Sequence, residues 1–311
     1  MGIAKFLYAF LCCIAICCAQ DSIPVTRHID FNDKLTVQLF SLNTSNSFVL
    51  NYNDESVTSV NVEPNYKTTL GVSVQYDIIS FSFGFAPSFL AENKDNKGSK
   101  MVSFSVNAFP GKWMQHFDFY YQKGFTLDSG DASIYLPGLK SFKVGGSSAY
   151  LFNREFSGKA IMLQNAKQIR SAGSFAPTLS YYYTRLSGDG EDIKDSVYFT
   201  DFALSPAYYY NFVIAKDFMI SAGLSVGAGV TLSNDYSPEA LYQGSGMLTL
   251  GYNTTRFFAG INSRAFVSSH DADGTGMDDN IAYHTIFAGY RFDAPSLLVK
   301  EKEKFEKKIK N

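Results

Sequence analysis

Phe218-Met219-Ile220-Ser221-Ala222-Gly223-Leu224-Ser225-Val226-Gly227-Ala228-Gly229-Val230-Thr231-Leu232 decides the fold. Phe218, Ile220, Ala222, Leu224, Val226, Ala228, Val230 and Leu232 take one parity; Ser221, Gly223, Ser225, Gly227, Gly229 and Thr231 take the other. Side chains on a strand alternate between faces, so this is one long strand with an oily face and a face of hydroxyls and glycines. A soluble sandwich turns such an oily face inward. A barrel in lipid inverts the arrangement, with apolar residues outside and polar ones toward the lumen.

The same alternation surrounds this stretch. Ile79, Phe81, Phe83 and Phe85 oppose Ser80, Ser82 and Gly84, and Ile286, Ala288, Tyr290 and Phe292 oppose Thr285, Gly289 and Arg291. Aromatic residues make up 16% of the chain, with 28 Phe and 20 Tyr, as expected if rings line both membrane interfaces. Strands are expected near residues 46–53, 68–76, 78–86, 101–109, 114–125, 147–154, 174–185, 203–213, 218–232, 243–252, 256–268 and 282–292. Short links at 77, 110–113, 214–217 and 253–255 alternate with longer ones near 54–67, 87–100, 126–146, 186–202, 233–242 and 269–280. That alternation predicts short periplasmic turns and long outer loops. Segment 155–173 breaks it and holds either a short helix packing under or into the barrel or a longer turn. Residues 35–42 form a lead-in or part of a longer first hairpin.

Lys5 followed by the apolar run Phe6 to Cys18 predicts a secretory signal peptide over 1–19, cleaved after Ala19. All four cysteines, Cys12, Cys13, Cys17 and Cys18, fall inside it. The remainder therefore has no thiol for a disulfide, a thiolate metal site or a cysteine nucleophile. Beyond it no run reaches the ~18 apolar residues of a membrane helix. A net charge of -2 supplies no basic field for nucleic acid. The expected organisation is a barrel over 20–294 and a charged periplasmic tail over 295–311, the latter a solvated helix rich in Lys and Glu.

If Phe117, Phe119 and Tyr121 face lipid, then His116, Asp118, Tyr120 and Gln122 share the lumen side, joined by Ser103, Ser105 and Asn107 from the preceding strand. Such a column can bind a solute, or it can be interior polar groups satisfying one another. The run His270, Asp271, Ala272, Asp273, Gly274 spaces carboxylates like a calcium loop but has Ala282 where the twelfth-position Glu belongs. It and Gly188-Asp189-Gly190-Glu191-Asp192 are expected to be acidic turns, with no metal and no cofactor. His284, near the outer rim with Ser268 and Ser269 across the loop, is the place where a lipid-modifying enzyme would have to be built.

Asp33-Lys34-Leu35-Thr36-Val37-Gln38-Leu39-Phe40, Glu63-Pro64-Asn65, Thr69-Leu70-Gly71-Val72 with Tyr76, Phe81 to Phe85, and Tyr121-Gln122-Lys123-Gly124-Phe125 together resemble a family of Gram-negative outer-membrane proteins, domain of unknown function 4421. This sequence has Asp77 and Ile78 where that family tends to carry a basic residue and tryptophan. The resemblance implies an outer-membrane barrel and no reaction.

The expectation is an all-β, antiparallel up-and-down transmembrane barrel of about twelve strands in the cell outer membrane. Its partners are outer-membrane lipid and a small solute that passes through it or binds at its surface. The alternative is a plugged structural or protein-docking barrel filled by large residues such as Tyr182, Tyr208 and Tyr210. A lipid-modifying enzyme stands behind both, and no enzyme activity is expected.

Overall fold

A computed structural model describes residues 27–52, 59–64, 68–90, 98–128, 133–188, 196–233, 237–272 and 275–310. The signal peptide expected over 1–19 lies outside them. The elements are β1 (His28–Asp30), β2 (Lys34–Tyr52), β3 (Ser59–Pro64), β4 (Thr68–Tyr76), β5 (Ile79–Phe85), β6 (Lys100–Ala108), β7 (Trp113–Asp128), β8 (Ser133–Tyr150) and β9 (Ala166–Gln168). They continue with β10 (Ala172–Phe175), β11 (Thr178–Ser187), β12 (Val197–Ser205), β13 (Ala207–Ala215), β14 (Phe218–Ser233), β15 (Glu239–Asn253), β16 (Phe257–Ala272), β17 (Thr275–Asp293) and the helix α1 (Ser296–Lys310).

Twelve strands close a ring. The first half runs β2, β4, β5, β6, β7, β8, each paired antiparallel with the next. The ring goes on through β10 with β11, β12 with β13, then β14, β15, β16 and β17, which pairs back to β2 from Asp293↔Lys34 to Thr275↔Tyr52. Closure leaves no edge whose backbone groups would be stranded in hydrocarbon. Two ring positions are broken strands, interrupted at Pro177 and Pro206, because proline donates no ladder hydrogen bond. Ala176 N donates to Ala207 O at 2.8 Å and bridges the two breaks.

Oily parity faces outward. Phe81, Phe83 and Phe85 are 50–52% exposed and Leu224 and Val226 more than 60%, while Ser80, Ser221 and Thr231 between them are buried. Near the periplasmic ends of the strands, rings form a girdle: Trp113 to Tyr150 at 5.1 Å, Tyr150 to Phe152 at 5.4 Å, Phe218 to Tyr252 at 5.0 Å and Tyr290 to Phe292 at 4.8 Å. A second run, Phe119, Phe142, Tyr183 and Tyr198, sits higher on the wall. An apolar band between aromatic girdles around a closed ring is the surface of a membrane-spanning β-barrel. No helix among the described residues is long and apolar enough to cross a membrane.

Several expected boundaries move. Residues 35–42 and 46–53 are one strand, β2. Much of 126–146, expected as a loop, is the end of β7 and most of β8. Pro137 is tolerated because the register slips there, from Lys123↔Lys140 to Phe125↔Leu136, and a bulge needs no donor at that point. Gly124, at φ 87°, supplies the left-handed residue of this irregularity. It also reverses parity, so Phe125 turns inward and is fully buried with Phe48 and Val62. The expected loops 233–242 and 269–280 are largely strand as well, since polar residues pair as readily where strands rise past the membrane. Residues 273 and 274, the side chains of 270–277, and residues 189–195 lie outside the described residues, so the two acidic turns are not described.

Segment 151–171 is the departure from a simple barrel. It turns into the lumen through a short 3-10 turn at Lys159–Met162, and β9 pairs with β1 (Ile29↔Lys167). Phe156 and Ile161 pack with Ala149, Ala172, Ala176 and Ala207 of the wall. Ala160, Leu163 and Ala166 pack with Met219, Phe258 and Phe287. Each large side chain so buried contributes about 1.5–3 kcal/mol. Glycine makes room: a Cβ at Gly251 or Gly260 would meet the Leu163 side chain. Helix α1 lies at the same end, with Lys302 Nζ 3.1 Å from Asp77 Oδ1.

Candidate functional site

Above this plug the lumen encloses a cavity of about 330 Å³, at the small end of ligand chambers. Gly158, Ile161, Met162 and Gln164 form its floor. Inward parity of β6 and β7 brings Ser103, Ser105, Asn107, His116, Asp118 and Tyr120 to its wall. Gln122 is buried but does not line the cavity.

Most of the column is occupied with itself. Asn107 and His116 are in register, with His116 Nδ1 2.6 Å from Asn107 Oδ1 and His116 Nε2 2.6 Å from Asp118 Oδ2. Tyr182 donates its hydroxyl to Asp118 Oδ2 at 3.2 Å, and Tyr120 donates to Oδ1 at 3.3 Å. Tyr182 reaches Asp118 across β8 because Gly145 intervenes; a Cβ there would strike the Tyr182 ring. The Asp118 carboxylate thus has three partners and is stabilised as a buried acceptor. Such a cluster shapes a wall and holds rings in place.

Across the ring, β8 and β17 occupy opposite positions, and Lys143 Nζ meets Asp279 Oδ2 at 2.8 Å. This buried pair is a strut over the lumen. Lys143 also lies 5.2 Å from the Tyr182 ring centre and 5.8 Å from that of Phe266, at cation–π distance. Tyr120 and Tyr283, from strands β7 and β17, approach at 6.2 Å.

Arg264 lies on β16 in register with Met247 and Tyr283 and lines the cavity. Among the described residues it makes no hydrogen bond and no ion pair, in contrast to Lys143 and to Lys159, which contacts Asn32 Oδ1 at 2.8 Å and Asp30 at 3.5 Å. The sequence reading did not single out Arg264. Its signal was parity: Asn262, Arg264 and Phe266 occupy the inward positions of a strand whose outward ones are Ile261, Ser263, Ala265 and Val267. Tyr209 and Tyr283 were missed in the same way. Tyr208 and Tyr210, expected to fill the lumen, take the outward parity of β13 while Tyr209 between them lines the cavity.

His284 faces outward as its parity indicates. Its Nδ1 is 3.1 Å from Ser263 Oγ, its neighbour in register, whereas Ser269 pairs with Asp278 and Ser268 with Asp279. No group of three or more His, Cys, Asp or Glu among the described residues could hold a metal ion.

A family model described as "Domain of unknown function (DUF4421)" matches residues 29–292. No curated protein matches the chain. Among solved structures, the chain is similar to the translocator domain of the autotransporter NalP from Neisseria meningitidis, at 10% identity and a TM-score of 0.43, over 93% of this chain and 96% of that one. The outer membrane protease OmpT from Escherichia coli matches at 10% identity and 0.35, over 88% and 99% of the two chains. An outer membrane channel from Pseudomonas putida F1 matches at 8% identity and 0.35, over 88% and 100%.

Proposed function

The chain belongs to the family of domain of unknown function DUF4421, and from that premise we propose that it is a plugged barrel which binds a small solute in its internal chamber and passes it on when the plug shifts. A family without a named activity lends no reaction, so the proposal rests on geometry. The observation that carries it is the course of segment 151–171, which packs against inward residues of β13, β14, β16 and β17 and floors the chamber. An open pore would leave this end of the ring unfilled. A purely structural barrel would need no cavity lined by an arginine without a hydrogen-bond or ion-pair partner among the described residues.

Planar-bilayer conductance tests the reading. The full chain is expected to pass little steady current, and a variant with residues 154–168 replaced by a short glycine-serine turn is expected to give a stable open channel, with heat-modifiable gel mobility confirming that the barrel still closes. A large steady current through the full chain would defeat the proposal.

A further inference from the structure

We propose that the chamber takes a small monocarboxylate with a flat apolar body, its carboxylate on the Arg264 guanidinium and its body between tyrosine rings; this rests on the chamber reading above. Charge is the first step of the argument. Of the cations lining the cavity, Lys143 is held by Asp279 and Lys159 by Asp30 and Asn32. Asp118, the lining carboxylate, is committed to His116, Tyr120 and Tyr182. Arg264 alone of these groups has no hydrogen-bond or ion-pair partner among the described residues while facing the cavity.

A guanidinium in a partly enclosed site with no hydrogen-bond acceptor among the described residues selects for a planar acceptor that takes two of its donors at once, which a carboxylate does. Asp118 has its donors already, so a ligand gains nothing from carrying an ammonium group toward it. The walls supply the second half of the specificity. Tyr120, Tyr182, Tyr209, Phe266 and Tyr283 line the same cavity, and their faces favour a flat apolar body over a sugar or a peptide. The cavity volume of about 330 Å³ limits that body to a small molecule.

The test compares benzoate with its neutral isostere benzamide, by calorimetric titration of the full-length folded barrel in detergent. Benzoate is expected to bind more tightly than benzamide, and R264Q to weaken benzoate about tenfold, well beyond its effect on benzamide, as for loss of a charge-assisted hydrogen-bond pair. R264K, which keeps a point charge without the fork, is expected to recover part of the preference. Equal affinities of the native barrel for benzoate and benzamide would overturn the carboxylate assignment and leave the chamber standing. Failure of both to bind would remove the chamber with it. Should R264Q not fold, the native preference for benzoate, its partial reduction in R264K and its loss in concentrated chloride carry the decision.

Discussion

Segment 151–171 meets the barrel wall along two seams of opposite chemistry. Toward β14, β16 and β17 the contact has an apolar centre, Leu163 and Ala160 against Met219, Phe258 and Phe287, with buried hydrogen bonds at its margin, among them Asn253 Nδ2 to Ala166 O at 3.0 Å. Arg291 closes this seam. It is fully buried, sits between the rings of Phe31 and Phe258 at 4.4 and 4.7 Å, and donates to Gln164 O at 2.6 Å, Thr254 O at 2.7 Å, Asn253 Oδ1 at 2.9 Å and Leu163 O. Toward β2, β4 and β5 the contact is made of amides and hydroxyls: Gln164 with Gln38 at 3.0 Å and with Ser73 and Ser80 at 3.5 Å, Asn165 with Thr36 at 3.0 Å. Gln75 in that sector is buried with both amide atoms unpaired among the described residues. An apolar seam cannot trade its contacts for water without losing most of its stabilisation, whereas a polar seam trades at a small net cost. If the plug shifts as proposed, this asymmetry predicts that it pivots on the apolar side and parts from the polar one.

Arg291→Met should break this asymmetry most strongly. It leaves several buried carbonyls without donors, each costing about 1–3 kcal/mol, so the apolar side loses its lock and the plug is expected to loosen by roughly 4–6 kcal/mol in total. Limited proteolysis within 151–171 and a rise in bilayer conductance are the readouts. A protected plug and a silent bilayer would show that apolar packing alone holds it.

The strut above the chamber asks whether a buried polar contact far from the plug behaves as a lock or as an exchangeable seam. Lys143→Met strands the Asp279 carboxylate, whose Oδ1 already has no partner among the described residues. The expected loss is about 3–5 kcal/mol, largely regained in K143M/D279L. Urea titration followed by the fluorescence of the single tryptophan, Trp113, which faces lipid on β7, measures both. A single variant as stable as the native chain would place the pair among contacts that water replaces freely.

Leu163→Ala cuts into the hinge itself. The side chain is fully buried beside Gly251 and Gly260, and its truncation is expected to cost about 2–4 kcal/mol with a cavity left behind. The same denaturation curve reads it. A cost below about 1 kcal/mol would mean that neighbouring side chains collapse onto the site.

These regions differ in how legible they were in the sequence. The wall was legible because lipid demands one parity along every strand, and Phe81-Ser82-Phe83-Gly84-Phe85 states it without interference. Parity also placed His116, Asp118 and Tyr120 on the lumen side. It failed at Gly124, where a bulge turns Phe125 inward, and above the membrane, where the polar residues of β8 pair in water and resemble loop. The plug showed in the sequence mainly as an interruption in the alternation of links, since Ala160 and Leu163 owe their burial to Met219, Phe258 and Phe287, all more than fifty positions away. Arg264 was hidden for a different reason: an arginine at an inward position is ordinary, and only the pairing of Lys143 and Lys159 with carboxylates sets it apart as lacking a hydrogen-bond or ion-pair partner among the described residues.

The smallest expected effect is also the sharpest test of the hinge. Gln164→Ala removes the amide that joins Gln38, Ser73 and Ser80, but each partner lies beside other hydroxyls, Ser73 Oγ being 3.2 Å from Ser80 Oγ and 2.9 Å from Ser82 Oγ. Water can fill the vacated position, so the global cost should stay near 1 kcal/mol or less. The local consequence should be out of proportion to that figure. With the releasable side weakened and the hinge intact, the plug should open more often without leaving, giving brief conductance flickers where Arg291→Met gives steady current. If Gln164→Ala produced steady current, the polar seam would be the anchor and the assignment of hinge and release would have to be exchanged.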